Sequence, residues 1–203
     1  MDGTLTNQNS WYELNLALGI TKEEDQEMYD AYERGDLTYI EWTNALLQLY
    51  KERKLATKDY AYSVLSKFIL RDGVEDLVTD LQNKGYTLLI ISGSFDVLVR
   101  EVAKTLGVQH YKANTELKFD NQGYLKNIVS AGDEPQAKLR HLEKFCKELQ
   151  IPIHQCVCVG DGANDIELFK KTQKGITFSN APENVKKESW HTVDCLSDIK
   201  NLL

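Results

Sequence analysis

The 203-residue chain has no apolar run approaching the length of a membrane span, and it opens on no charged-then-apolar leader. A cytoplasmic location is therefore expected, with no membrane partner. Positive charge is in short supply: 24 Lys and Arg face 31 Asp and Glu, a net charge of −7. That balance argues against broad binding to nucleic acid or to anionic membranes. It also means that an anionic ligand needs its positive charge supplied locally, by a metal or a placed lysine. Cysteine is sparse. Cys146, Cys156, Cys158 and Cys195 have no metal-ligand spacing, and Cys156 and Cys158, two apart in an apolar run, point to one face of a strand. Buried free thiols in a reducing compartment are expected. There is no internal repeat and no low-complexity segment, and the length allows one substantial core plus an inserted subdomain.

What is present is organised around residues 157–168. Residues 156–159 are a short apolar run, which predicts a strand covered on both faces. Gly160 and Gly162 follow, where a ligand can approach the main chain closely. Asp161 and Asp165 then stand at the carboxyl end of that strand, where ligands bind in open α/β sheets. Two carboxylates beside a glycine turn suit a hard cation such as Mg²⁺, which takes oxygen ligands and keeps several waters.

Elsewhere, helical spacing dominates residues 10–68. Trp11, Leu14 and Leu18 form one apolar stripe, and Thr21-Lys22-Glu23-Glu24 reads as a capping box opening a second helix. Tyr39, Trp42, Leu46, Leu47 and Tyr50 form a third stripe, and Val64, Leu65, Phe68 and Ile69 a fourth. Such aromatic stripes are more often packing than a substrate pocket. Beyond residue 70 the pattern alternates. Helices are expected near 74–84, 97–106, 136–149 and 183–188, and strands near 86–91, from 107, at 176–178 and at 192–193. Asp120-Asn121-Gln122-Gly123 reads as the turn of a β-hairpin between 116–119 and 124–128. This alternation predicts an α/β fold, a parallel sheet with helices on both faces.

Gly160-Asp161-Gly162-Ala163-Asn164-Asp165 resembles the fourth motif of the haloacid dehalogenase (HAD) superfamily, in its phosphoserine-phosphatase-like branch. Met1-Asp2-Gly3-Thr4 resembles the first motif, Asp-x-Asp-Gly-Thr, entered one residue late. Residues 88–93, ending in Ser92-Gly93, match the second motif, and Lys138 in Pro135-Gln136-Ala137-Lys138-Leu139 matches the third in position. The resemblance covers nearly the whole chain. It implies a Rossmann-like core of residues 1–9 and 71–203, with a small all-helical cap, residues 10–70, inserted after the first motif. It implies a Mg²⁺-dependent phosphatase acting on a small phosphorylated metabolite through an aspartyl-phosphate. Asp2 would be the general acid and base. Ser92, Gly93, Lys138 and Asn164 would bind phosphate. Asp161 would ligate the metal with the main-chain carbonyl of Asp2, and Asp165 would hold a metal-bound water or orient the lysine. Taken alone, Ser92 could equally cap the next helix from a βα turn.

In that family the nucleophilic Asp stands two residues before the general acid, one position ahead of Met1, on an apolar strand. Either the start lies at an internal methionine and the product is longer, which we expect, or the chain cannot form the covalent intermediate and is a non-catalytic phosphate- or Mg²⁺-binding protein. A dehalogenase is disfavoured because those relatives lack the acid that Asp2 supplies. A response-regulator receiver lacks the helical insertion and the glycine turn. A membrane ion pump would need spans. Phosphoserine is one candidate substrate. However, the place of the phosphoserine phosphatases' cap Glu holds Asn9, their cap Arg has no counterpart in residues 41–50, and Arg34 and Arg53 lie outside that stretch. Glu13 could substitute for the missing carboxylate.

Overall fold

The computed structural model describes residues 1–203, except for the side chain of Glu33. Four helices come first: α1 (Ser10–Ala17), α2 (Lys22–Glu33), α3 (Tyr39–Arg53) and α4 (Lys58–Leu65). At eight residues α1 is too short to hold alone, since isolated helices below roughly 12–15 residues are marginal in water. Burial holds it. Leu14 is fully buried in the same cluster as Leu46 and Tyr50 of α3, and each such leucine contributes about 1.5–3 kcal/mol relative to exposure. The Thr21 capping box opens α2 as expected, and Thr38 with Glu41 forms another at the start of α3. The fourth helix lies earlier than its apolar stripe. Thr57 caps it, it ends at Leu65, and Ile69 beyond it is 63% exposed.

The remainder alternates: α5 (Val74–Asn83), β1 (Leu89–Phe95), α6 (Asp96–Thr105), β2 (His110–Phe119), β3 (Leu125–Ser130), α7 (Glu134–Leu149), β4 (Cys158–Val159), α8 (Ile166–Thr172), β5 (Gly175–Phe178), α9 (Glu183–Glu188) and β6 (His191–Val193). Strands β1 and β2 run parallel, with Ser92 beside Ala113, and β3 returns antiparallel to β2. The hairpin turn is where the sequence put it. Asp120 Oδ1 accepts from the N–H groups of Gln122 and Tyr124, and Gly123 sits at φ +84°. A second parallel sheet runs β4-β5-β6. Strand hydrogen bonding thus falls into two three-stranded sheets, with β1 and β4 each at an end. The run 156–159 yields only two paired residues, and both are half-buried, not covered on both faces. Among the described residues β4 pairs with β5 alone.

Helices α7 and α8 bridge the two sheets. Leu142 and Cys146 of α7 and Leu168 of α8 pack with Leu89 and Ile91 of β1 and with Cys156 and Cys158. The largest cluster is continuous from Leu14 and Leu46 in the helical region to Val99, Val102, Ile176 and Ile199. The isolated bridge between Thr57 and Tyr124 ties the helical region to the hairpin.

All four cysteines are free. Burial, with Cys146 3.4 Å away as a hydrogen-bond partner, pushes the Cys156 thiol up to about 11. Below that pH the thiol keeps its proton and is a poor nucleophile. Between pH 7 and 9, iodoacetamide should therefore alkylate exposed Cys195 at least tenfold faster than Cys156, read by mass spectrometry of the peptides.

Candidate active site

The opening residues form a tight turn rather than a strand. Met1 carbonyl accepts from the N–H groups of Thr4, Leu5 and Thr6. Gly3 adopts φ +71°, and a Cβ there would lie 2.1 Å from Asp161 Oδ2. Only glycine lets the turn press against that carboxylate. Thr4 Oγ1 donates to Asp161 Oδ1 at 2.5 Å, and Arg71 Nη1 donates to Gly3 carbonyl at 2.5 Å. The first and fourth motifs, at opposite ends of the sequence, are thus in direct contact.

Asp2 is held by one oxygen only. Its Oδ2 accepts from Ser10 N–H at 2.8 Å and Ser10 Oγ at 2.5 Å, and Ser10 Oγ is in turn 2.5 Å from Ser94 Oγ. Oδ1 is buried with no hydrogen-bond partner among the described residues. A buried carboxylate oxygen left unsatisfied costs stability, and such an atom is explained by a ligand, metal or proton in transit. Ser92 is 4% exposed, and its Oγ accepts from Ser94 N–H at 3.1 Å, which leaves the hydroxyl proton free to donate.

Lys138 is buried on α7 and donates to Asp165 Oδ1 at 2.8 Å. Burial alone would lower its pKa, but Asp165 and Glu134 outweigh that and hold the ammonium above the usual lysine value. Burial likewise drives the Asp165 carboxyl upward. Lys138, the amino terminus and the Gly162 N–H together overcome it and keep Asp165 below the ordinary range. Asp165 Oδ2 lies inside the glycine turn, 3.2 Å from Asp161 N and 3.3 Å from Gly162 N, where a Cβ on Gly160 would come within 2.2 Å of it. Both oxygens of Asp165 are therefore engaged by protein donors. Of its two expected roles, orienting the lysine is the one this geometry fits.

Glu134 was not singled out in the sequence. The helix of Lys138 begins two residues earlier than expected, at Glu134, with Pro135 tolerated in its first turn. That puts Glu134 one turn before Lys138, with Oε1 3.4 Å from Nζ. Asn164 Nδ2 donates to the same oxygen at 2.7 Å, and a Cβ on Gly93 would meet it at 1.9 Å. Glu134 thus lies over the Gly93 main chain, drawing on two of the groups expected to bind phosphate. Its spacing of four from Lys138 was the available signal. Ser10 and Ser94 were also missed.

Asp2, Ser92, Ser94, Glu134, Lys138, Asp161, Asn164 and Asp165 line one cavity of about 780 Å³ that runs on to aromatic residues of α1, α2 and α3. The donors near Asp2 and Asp161 are oxygens, the set a hard divalent cation takes. No three His, Cys, Asp or Glu groups converge as a complete cage among the described residues. Mg²⁺ keeps several waters and needs few protein ligands, so the Asp161 carboxylate together with the main-chain carbonyl of Asp2 suits it.

A family profile described as a haloacid dehalogenase-like hydrolase matches residues 1–171. The chain is 29% identical over 181 residues to a phosphoserine phosphatase of Methanocaldococcus jannaschii, covering 89% of this chain and 83% of that protein. It is 29% identical to a phosphoserine phosphatase of Streptomyces coelicolor across 95% of this chain but only 45% of that longer protein. Among solved structures it resembles a phosphoserine phosphatase holding an analogue of its phospho-aspartyl intermediate. That likeness has a TM-score of 0.84 and 26% identity, and covers 100% of this chain and 95% of the other.

Replacing Lys138 by Met should strand the Asp165 charge and cost about 3–5 kcal/mol of unfolding free energy. Adding Asp165→Asn should recover part of it, giving a coupling of at least about 1 kcal/mol in a urea-melt double-mutant cycle. Strictly additive losses would show that the pair does not act as a unit.

Proposed function

Because the chain belongs to the haloacid dehalogenase-like hydrolases, we propose that it is a Mg²⁺-dependent phosphatase for a small phosphorylated metabolite, working through an aspartyl-phosphate, with phosphoserine one candidate. The observation that carries this reading is the unpartnered Oδ1 of Asp2, in the same cavity as Ser92, Lys138 and Asp161. Ser10 fixes the other oxygen and so aims this one. At Oδ1 the side chain can give a proton to the departing alkoxide and later take one from water.

Phosphate is gripped by the Ser92 hydroxyl, the Gly93 N–H and the Lys138 ammonium, which offset charge as it develops on the transferring group. Asp165 sets the direction of Lys138. Asp161, with the main-chain carbonyl of Asp2, would hold the metal. When bound, Mg²⁺ would draw phosphate oxygens together and screen them from an approaching carboxylate. In the family the nucleophilic carboxylate stands two positions before the general acid; residues 1–203 contribute the acid–base, metal-holding and phosphate-binding parts. Residues 10–70 act as a cap whose closure excludes bulk water.

Glu134 bears on the first step, since an incoming phosphate must compete with it for Lys138 and Asn164. Calorimetry with inorganic phosphate and MgCl₂ should show binding that Ser92→Ala weakens at least tenfold, as expected for loss of about 1.5–3 kcal/mol in a hydrogen bond to a charged group. Glu134→Gln should tighten it several-fold, and Asp161→Asn should remove its Mg²⁺ dependence. Turnover of an aryl phosphate is expected when an apolar strand ending in Asp precedes Met1, and little or none from residues 1–203 alone. Phosphate binding without turnover in both forms would favour a non-catalytic binding protein.

A further inference from the structure

The far end of the cavity is built from rings. Trp11, Tyr12, Tyr29, Tyr32, Tyr39 and Trp42 all line it. Tyr32 stacks on Trp42 with centroids 5.6 Å apart, and Trp11 sits 4.8 Å from Trp42. Tyr39 OH is hydrogen-bonded to Thr115 Oγ1 at 3.0 Å, and burial pushes its pKa well up, so it remains a neutral phenol. One carboxylate joins these rings, that of Asp25. A chain of buried groups holds it: Tyr50 OH donates to Asn15 Oδ1, and Asn15 Nδ2 donates to Asp25 Oδ1 at 2.5 Å. Tyr50 and Asn15 are both fully buried, so the helical region spends its most deeply buried polar side chain on fixing this carboxylate.

Among the described residues no Lys, Arg or His side chain lines that end; Lys22 and Arg34 line a neighbouring, more open pocket that shares only Tyr12 and Gln26 with the cavity. Among the described residues lining the cavity, Lys138 is the one Lys, Arg or His side chain, and it is engaged at the phosphate end. Arg53 is paired with Glu24 at 2.6 Å and Arg34 with Asp36 at 2.9 Å, and neither lines the cavity. Asn9, in the place of the expected cap carboxylate, uses its Oδ1 to cap α1 through the N–H groups of Trp11 and Tyr12. A substrate carboxylate entering here meets aromatic rings and the Asp25 carboxylate. Trp42 Nε1, buried without a partner among the described residues, is a neutral donor; it can meet a hydroxyl or ester oxygen but brings no full positive charge.

The geometry points to a substrate whose non-phosphate part is a cation without a carboxylate: the phosphomonoester of an amino alcohol, best a quaternary ammonium one. Ring faces attract such a cation, and its weak hydration makes the transfer into an aromatic pocket favourable. Asp25 supplies the counter-charge at the same end. This inference rests on the phosphatase reading above and names the class of substrate for it.

Calorimetric titration of the chain in MgCl₂ tests it with four probes: inorganic phosphate, phosphocholine, phosphoserine and 3,3-dimethylbutyl phosphate, the uncharged shape-mimic of phosphocholine. Phosphocholine should bind at least tenfold more tightly than phosphoserine and several-fold more tightly than the neutral mimic. Asp25→Asn and Trp11→Leu should each bring the phosphocholine-to-phosphoserine ratio close to one. Phosphate binding with phosphoserine equal to or tighter than phosphocholine overturns the inference and leaves the phosphate site standing. Equal binding of phosphocholine and the neutral mimic also overturns it. Failure of inorganic phosphate itself to bind removes both readings together.

Discussion

A carboxylate buried as deeply as that of Asp165 must find its hydrogen bonds inside the protein, and it finds them on Lys138 and on two main-chain N–H groups of the glycine turn. The cost of burying one charge is met by a second, and the pair is worth keeping only if both stay in place. This ties α7 to the turn after β4, and the rest follows. Lys138 is held facing the cavity. Glu134, one turn earlier, comes to rest over Gly93. Asp161 is left half-buried, and Thr4 reaches it.

The site combines this fixed charge pair with one free atom. Asp165, Ser10 and Thr4 are satisfied and act as supports. Asp2 Oδ1 is not, and a buried oxygen with no donor marks where chemistry is expected. The helical region adds a contrasting surface, aromatic and nearly free of positive charge. In the function proposed here the two ends ask different things of a ligand: a phosphate dianion beside Lys138, and a group that tolerates aromatic rings and a carboxylate at the other.

Much of this was legible in the sequence. Asp161 stood out locally, on a glycine turn after an apolar run, whereas Asp2, Ser92 and Lys138 were singled out by their order along the chain in a resemblance to a family; the structure brings all four to one cavity. The alternation of helices and strands beyond residue 70 was legible from local pattern as well. Glu134, Ser10 and Asp25 were not, because their meaning depends on what folds against them. Glu134 looks like any first-turn acid until Asn164 and Gly93 approach it. Strand limits were also misplaced. Apolarity marked residues 156–159, whereas pairing, which depends on neighbours, selected Cys158 and Val159. Likewise β1 begins later than its apolar run and continues through Ser92 to Phe95.

The contact between Thr4 and Asp161 spans 157 positions of the chain. Closing a loop of that size is slow relative to forming the local helices, and it is rewarded only after both partners have their surroundings. The placing of Asp2 beside Asp161 therefore rests on a contact with no local support along the chain. A chain that has its helices and sheets but not this closure would look native by far-ultraviolet dichroism while Asp2 and Asp161 lay apart.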